Sequence, residues 1–219
     1  AVWWLASRIQ PDGSYKHQEW FNFNRDRETY HLYNSKFAEY MLSSLNAAKY
    51  YQLKTFVNEN IISTGVEKKN IICYNPKKGF EFTSKIIHAI KKTPRADLYF
   101  NFIPIEKMNP KEVTNTLSQA KLYIDFGHHP GRERLPREAA LCNCCIISAF
   151  QGSAMFYEDM PIPESYKFEV DDSCIPNIIN LINDIIHNYE NHTHKFEHYR
   201  NILKNNKAQF NIDVESLIV

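Results

Sequence analysis

A dense group of charged side chains, from Arg132 to Glu138, follows a short apolar segment in the middle of the chain. Glu138 could accept two hydrogen bonds from a ribose diol, as acidic residues do in dinucleotide-binding folds, or it could merely stabilise a helix N-terminus. The guanidinium groups of Arg132, Arg134 and Arg137 suit phosphate oxygens. The alternative is an exposed loop in which Glu133 pairs with its neighbours. The group predicts a site for a phosphorylated ligand.

Two glycine-containing turns supply further candidates. Lys77, Lys78 and Gly79 follow an apolar segment and precede a predicted helix, so their turn could offer backbone N–H groups and lysine charge to a diphosphate. Gly152 and Ser153 follow another apolar segment, where glycine would let the backbone approach a ligand or a leaving phosphate. Ordinary solvated turns are the alternative for both. The sequence has neither the glycine fingerprint of dinucleotide folds nor the P-loop lysine motif.

Two adjacent histidines are the candidates for proton transfer. His128 and His129 could donate to a sugar hydroxyl or act as a base. A zinc site is the alternative, because Cys142, Cys144 and Cys145 follow nearby. The paired spacing of structural zinc ligands is missing, however, and buried cysteine is the common state in apolar segments. We therefore predict no metal site.

These side chains must be positioned by a β-α-β unit. Residues 122–126 form a short apolar run, typical of a strand buried on both faces. A polar loop follows, and Pro136 suits the first turn of a helix, which places Glu138 in that turn. Residues 144–149 are the next apolar strand. Ligands of open α/β sheets bind at the carboxyl ends of the strands, where the candidates gather.

The same alternation of strands and helices extends over the rest of the chain from Lys68 onward. Such alternation predicts a parallel sheet with right-handed crossovers. The predicted strands are residues 70–74, 98–103, 122–126, 144–149 and 167–170. The predicted helices are residues 82–91, 110–118, a segment that begins at 136, and a long helical region at 175–204.

The first sixty residues form a region of their own. We predict strands at residues 1–6, 29–32 and 51–56, a loop at 7–27, and a helix at 36–48 with an N-cap at Asn34 or Ser35. These elements make half of a Rossmann-like domain, and residues 58–67 fit a linker. We therefore divide the chain into residues 1–60 and 61–219. The chain starts directly in an apolar run without a methionine, so we expect it to begin inside a longer protein.

Composition excludes several classes of protein. The 219 residues are 43% hydrophobic and carry a net charge of +1, so the chain is neither disordered nor suited to bulk binding of nucleic acid. No apolar run approaches the roughly 18 residues that span a bilayer. Five cysteines at irregular spacing form no disulfide framework and indicate a reducing compartment. We predict a cytoplasmic protein, with the inner face of the membrane as an alternative.

The segment PREAALCNCCII at residues 136–147, followed by Gly152 and Ser153, resembles the donor-domain signature of GT-B glycosyltransferases. The wider segments 2–5, 74–79, 123–138 and 161–168 are similar to a bacterial subgroup of transferases from surface-polysaccharide gene clusters. The resemblance implies an α/β fold of GT-B type. In it, a Rossmann-like domain with a parallel sheet is preceded by part of a second Rossmann-like domain, which serves the acceptor.

The resemblance also implies roles for particular residues. Glu138 matches the glutamate that holds the donor ribose, and Lys77 or Lys78 matches the cation on the donor diphosphate. Gly152 and Ser153 match the loop near the donor sugar. Retaining members often carry another glutamate eight residues before the ribose one, and that position here is Pro130. The sugar-contacting carboxylate is then expected at Asp125 or Glu133, which join His128 as catalytic candidates.

The function implied by the resemblance is sugar transfer from a nucleoside diphosphate sugar, UDP- or GDP-linked, to a glycan or lipid-linked acceptor in surface polysaccharide synthesis. No metal cofactor is expected, because such enzymes neutralise the diphosphate with positive charge and helix N-termini. Peripheral association with a membrane is a further possibility for the acceptor side. The alternatives are a nucleotide-sugar epimerase on the same fold and a catalytically inactive α/β module that binds a partner.

Overall fold

A computed structural model describes residues 1–5, 29–57, 61, 65–93 and 100–218 of the chain. Its N-terminal part holds a three-stranded parallel sheet in the order β1-β2-β3, with one helix between the second and third strands. Its elements are β1 (Val2–Trp4), β2 (His31–Tyr33), α1 (Lys36–Ser44) and β3 (Tyr50–Gln52).

The remainder holds a five-stranded sheet in which every pair of neighbours is parallel. Its strands are β4 (Lys69–Tyr74), β5 (Asn101–Pro104), β6 (Ala120–Asp125), β7 (Cys145–Ala149) and β8 (Lys167–Phe168). The helices of this part are α2 (Phe80–Lys91), α3 (Pro110–Gln119), α4 (Arg134–Leu141), α5 (Ile175–His187), α6 (Tyr189–Thr193) and α7 (Glu197–Ile218). Short 3₁₀ turns lie at Ser153–Met155, Glu164–Tyr166, Asp172–Cys174 and His194–Phe196.

The strand order of the larger sheet, β5-β4-β6-β7-β8, determines where a ligand can bind. The chain builds outward from β4 in one direction to β5 and then in the other direction through β6, β7 and β8. In doubly wound folds of this order, the loops after the two central strands diverge and leave a crevice at their carboxyl ends. In this protein the strand order reverses between β4 and β6, so the loops that follow these two strands mark the expected binding edge.

The core explains why these apolar segments became strands. Ile72, Leu122, Ile124, Ile146 and Ile147 are fully buried, as expected for a parallel sheet that is covered by helices on both faces. The four cysteines on these elements, Cys73, Cys142, Cys144 and Cys145, are buried free thiols. Burial raises the pKa of the Cys144 and Cys145 thiols to about 12. They are therefore packing residues and not nucleophiles.

The boundaries of several elements differ from the prediction. α4 begins at Arg134, not at Pro136, so Glu138 lies in the second turn of the helix, beyond the reach of a simple N-terminal capping role. The long helical region predicted at 175–204 consists of three helices, and the last of them continues to Ile218. The predicted third strand, at 51–56, is only Tyr50–Gln52.

Some predictions fall on residues outside the described part. These are the loop at 7–27, most of the linker at 58–67 and the first part of the strand at 98–103. The division of the chain near residue 60 stays a prediction. In the described part of the chain, no helix combines the length and the apolar character needed to cross a bilayer, and the cellular location likewise stays a prediction.

The last helix returns to the N-terminal part of the chain. Phe210 of α7 stacks on Trp3 of β1 at a ring distance of 6.0 Å and meets Phe56 edge-on at 5.2 Å. The indole of Trp3 also donates to the carbonyl of Leu53. Aromatic packing thus joins the two ends of the described chain.

Candidate active site

Two glycines bring the loops after β4 and β6 into backbone contact. Gly79 has a left-handed backbone (φ 60°, ψ 23°), and a Cβ there would lie 2.3 Å from the carbonyl carbon and oxygen of Phe126. A Cβ on Gly127 would lie 2.5 Å from the Cβ of Lys78. Only glycine permits this approach. The contact places the N-terminus of α2, which has no side-chain cap, beside the loop of His128.

One ion pair joins these two loops. The ammonium of Lys78 lies 2.7 Å from a carboxylate oxygen of Glu133, and both side chains are partly exposed. Lys77 is exposed, and its backbone N–H donates to the side chain of Asn75 in a tight turn. The structure therefore brings predicted residues Lys78, Gly79 and Glu133 together, with Lys77 on the outer side of the same turn.

The loop after β6 is tied to the loop after β7. The backbone N–H of Ser153 donates to the carbonyl of His129 at 2.7 Å. Gly152 has a φ of 59°, and a Cβ there would lie 2.2 Å from that carbonyl and 2.9 Å from the ring of His128. Gly152 thus lets the loop after β7 approach the backbone of His129, and its predicted approach to a ligand stays a prediction. His128, Gly79 and Gly152 all lie at the carboxyl edge of the sheet.

His128 combines an exposed position with a lowered pKa. Its residue is exposed, and its ring meets Phe37 of α1 edge-on at 5.8 Å. Desolvation, the charge of His129 and the charge of Lys78 together lower the pKa of His128. A lowered pKa keeps the imidazole neutral at neutral pH, so one ring nitrogen can accept a proton.

Asp125, one of the three catalytic candidates, is sealed beneath the loop. Only 2% of its surface is exposed. One carboxylate oxygen accepts the hydroxyl of Tyr123 at 3.0 Å, and the other accepts the backbone N–H of Gly127 at 3.0 Å. The ring of His129 lies 3.6 Å from the carboxylate. Because its oxygens are used internally, Asp125 in this structure shapes the loop and does not reach a sugar.

Two of the arginines are also buried, contrary to their predicted exposure to a phosphate. Arg137 donates to the carbonyls of Thr55, Arg132 and Glu133 and to the hydroxyl of Thr55. Arg132 donates to the same Thr55 carbonyl at 3.3 Å, and its Nε has no hydrogen-bond partner among the described residues. Desolvation lowers the pKa of Arg137 to about 10. These two side chains hold the segment after β3 against α4.

Glu138 and Arg134 occupy one face of α4, because they are four residues apart. Their charged groups lie 3.5 Å apart; the side chain of Arg134 is 63% exposed, and that of Glu138 is 8% exposed. Desolvation raises the pKa of Glu138, while Arg134 and Arg137 oppose this rise. Glu138 lines a groove of about 950 Å³ together with Arg134, Lys111 of α3 and Thr55. The groove gives the carboxylate access to a ligand.

A smaller cavity was not predicted from the sequence. It has a volume of about 210 Å³ and lies at the carboxyl ends of β4 and β5. Asn75, Ile105, Met108 and Leu135 contribute to its wall, and Arg134 lines both this cavity and the groove of Glu138. Glu106, Lys107 and Lys77 also line it. The available signal was the position of residues 105–108 after a strand, because a lone charged pair in a loop is usually solvated.

Ser153 and Asp159 connect the site to the N-terminal sheet. The hydroxyl of Ser153 donates to Asp159 at 2.8 Å, so it is already engaged inside the protein. Asp159 also accepts the backbone N–H groups of Lys36 and Phe37, at 2.8 and 3.2 Å, in the first turn of α1. A carboxylate from the larger part thus stabilises a helix N-terminus of the smaller part. The structural role of Asp159 could not be predicted from the sequence, because its partners on α1 are distant in the chain.

The geometry therefore places a lysine, a helix N-terminus without a side-chain cap, a histidine of lowered pKa and a largely buried glutamate around one sheet edge. Among the described residues, no three histidine, cysteine, aspartate or glutamate side chains are arranged to hold a metal ion. Such an edge suits a ligand with a polar ring, an anionic centre and a reactive end that approaches the histidine.

Comparisons with known proteins give fold-level likeness. The sequence matches no protein-family model, and no curated protein shows significant similarity to it. Solved structures similar to this chain include HepE of Anabaena in complex with UDP-glucose. It is 13% identical with a TM-score of 0.63, and the match covers 85% of this chain and 63% of HepE.

Two other glycosyltransferase structures are similar over nearly the whole chain. TarM of S. aureus is 10% identical with a TM-score of 0.74, and the match covers 98% of this chain and 48% of TarM. The pneumococcal O-GlcNAc transferase GtfA, in complex with UDP and GlcNAc, is 13% identical with a TM-score of 0.65; the match covers 97% of this chain and 50% of GtfA. The chain thus spans about half to three fifths of their lengths. These likenesses confirm the predicted architecture: the chain has the GT-B fold, with its Rossmann-like parallel sheets.

Proposed function

We propose that this chain is the donor-binding part of a glycosyltransferase that uses a nucleoside diphosphate sugar. The observation that carries the proposal is the backbone contact between Gly79 and the residues 126–127. It sets the free N-terminus of α2 and the ammonium of Lys78 at the switch point of the sheet, beside His128. Positive charge at such a point favours a diphosphate, both as it binds and as it leaves.

The other residues fit the remaining parts of such a donor. Glu138, at the groove, would accept hydrogen bonds from the ribose hydroxyls, and the 210 Å³ cavity lined by Ile105 and Leu135 is placed for the base. Gly152 would let the backbone lie close to the sugar. Lys78 and the helix N-terminus supply the neutralising charge, so the scheme requires no metal ion at the diphosphate.

The reaction then proceeds at His128. An acceptor hydroxyl oxygen bonds to the anomeric carbon of the donor sugar, and the bond from that carbon to the diphosphate oxygen breaks. The proton of the hydroxyl passes to the neutral imidazole, and the nucleoside diphosphate leaves with the electron pair. Asp125 and Tyr123 act below the loop as positioning residues. The proposed acceptor is a glycan or a lipid-linked glycan, and surface polysaccharide synthesis is its proposed setting.

The ribose role is tested by replacing Glu138 with alanine. Charged hydrogen bonds contribute about 1.5–3 kcal/mol each, so Glu138→Ala is expected to weaken UDP-sugar or GDP-sugar binding by about tenfold to a hundredfold. Calorimetry with a panel of nucleotide sugars measures this. Glu215→Ala, an exposed glutamate on α7, is the matched control and should bind as the unaltered protein does. Equal donor affinity in the Glu138 variant would show that the ribose lies elsewhere.

The Lys78–Glu133 ion pair makes a second prediction. The Glu133 carboxylate is paired with the Lys78 ammonium and so competes with the diphosphate for it. Glu133→Gln is therefore expected to tighten UDP binding by about twofold to fivefold, because a partly exposed ion pair contributes only a modest energy. Lys78→Ala should weaken binding, and Lys77→Ala should do so less.

The same Glu133 variant decides between its two possible roles. If UDP affinity is unchanged while sugar transfer is lost, Glu133 is the sugar-contacting carboxylate that the family resemblance implies. If UDP affinity rises and transfer persists, Glu133 is a counter-ion that the donor displaces. Weaker UDP binding in Glu133→Gln would contradict both readings.

A further inference from the structure

A continuous aromatic strip leads away from His128 across the boundary between the two sheets. We define the strip as Phe37, Tyr40 and Phe156. The ring of Phe37 contacts His128 at 5.8 Å and Phe156 at 6.3 Å, and the ring of Tyr40 lies 6.4 Å from Phe156. Tyr40 is 61% exposed, whereas Phe37 is 5% exposed. The strip therefore has a buried base and an exposed outer ring.

The strip is assembled from two parts of the chain and held rigid by polar contacts. Phe37 and Tyr40 belong to α1, whereas Phe156 follows the 3₁₀ turn after Gly152. Asp159 binds the first turn of α1, and its own backbone N–H donates to the carbonyl of Phe156 at 3.2 Å. The rings consequently keep their positions relative to His128 without needing a ligand to order them.

Two lysines near the strip are paired within the protein, and the exposed Glu158, two residues after Phe156, adds a negative charge. Lys36, at the start of α1, contacts the carboxylate of Glu39, and Lys78 near His128 contacts Glu133. Asp159 is buried beneath the strip. Paired lysines and an acidic neighbour disfavour an anionic ligand. An exposed aromatic ring suits a neutral ligand that has apolar C–H faces and hydroxyl edges, and a pyranose ring has this character.

We propose that the strip is an acceptor subsite that binds a neutral saccharide, with one pyranose ring against Tyr40 and Phe156 and a hydroxyl directed toward His128. This inference rests on the proposed function and adds to it the place of the acceptor subsite and the neutral character of the saccharide bound there. An acceptor recognised chiefly through phosphate groups does not fit these rings.

The test uses the neutral disaccharides cellobiose, maltose and N,N′-diacetylchitobiose as probes, with UDP present. Saturation-transfer NMR on the whole protein is expected to detect binding of at least one of them. Tyr40→Ala should weaken that binding by about threefold to tenfold, the range of an aromatic contact. Tyr40→Phe keeps the ring and should retain it. Tyr51→Ala removes another exposed tyrosine, which stacks on Tyr30, and should change nothing.

The outcomes separate this inference from the proposed function. If UDP binds but no disaccharide does, or if Tyr40→Ala and Tyr51→Ala behave alike, the saccharide subsite is wrong and donor binding stands. If glycerol phosphate competes with the disaccharide at Tyr40 and binds more tightly, the class of acceptor is wrong. If neither UDP nor GDP binds the unaltered protein in calorimetry, the proposed function itself fails.

Discussion

Replacement of Gly79 by alanine is expected to lower the free energy of unfolding by about 2–5 kcal/mol, because two costs add. An L-residue at a φ of 60° is strained by about 1–2 kcal/mol. The new methyl group would also lie 2.3 Å from the backbone carbonyl of Phe126, and overpacking of this kind costs about 1–3 kcal/mol. The obstacle is backbone at the end of the central strand β6, which cannot turn aside as a flexible side chain could.

Urea unfolding of Gly79→Ala measures this effect, and Gly65→Ala is its matched control. Gly65 also has a positive φ of 69°, but no heavy atom that the structure describes lies within 4 Å of its hypothetical Cβ. Its alanine variant should therefore lose only about 1 kcal/mol, the cost of the backbone conformation alone. Equal losses in the two variants would mean that the loops after β4 and β6 are not in contact.

Replacement of Arg137 by alanine is expected to cost about 3–5 kcal/mol. The guanidinium satisfies the carbonyls of Thr55, Arg132 and Glu133, and the residue is only 6% exposed. Its removal leaves buried oxygens without donors, and each such group costs about 1–3 kcal/mol. The void left by the long side chain adds to this loss. Thr55 would also lose much of its attachment to α4, so the two parts of the chain should separate more readily.

Arg134→Ala is the control for Arg137, since both arginines lie on α4. The side chain of Arg134 is mostly exposed, and its contact with Glu138 is 3.5 Å long, so its loss should change stability by less than about 1 kcal/mol. Thermal and urea unfolding of both variants gives the comparison. Equal losses of unfolding free energy in the two variants would show that the hydrogen bonds of Arg137 do not stabilise the fold. Unchanged stability in Arg137→Ala would show the same more directly.

Local patterns were sufficient for the elements of the fold. The helix predicted at 110–118 is α3, which begins at Pro110 and has a complete capping box formed by Asn109 and Glu112. Ser35 caps α1 in the same manner, by accepting the N–H of Ala38. Such signals work because the donor and the acceptor are a few residues apart, so the local sequence contains both.

The candidate site was predicted in outline and not in its details. Lys78, Gly79 and Gly152 followed strands, and strand ends of a parallel sheet meet at one edge, so the gathering of these residues could be predicted. The sequence could not predict that Arg137 is buried while Arg134 is exposed. Arg137 turns inward because Thr55 lies there, and Thr55 is 82 residues away in sequence.

The sequence by itself determined the alternation of strands and helices, the caps, and the apolar segments that became the buried sheet, because periodicity and capping are short-range effects. Only the tertiary structure decided that Asp125 is covered by its own loop, that Asp159 reaches the first turn of α1, and that Phe37 meets His128. Each of these depends on contacts between segments that are distant in the chain or that fold back on themselves. The energy of a buried polar group is set by such partners, and the residue type alone does not reveal them.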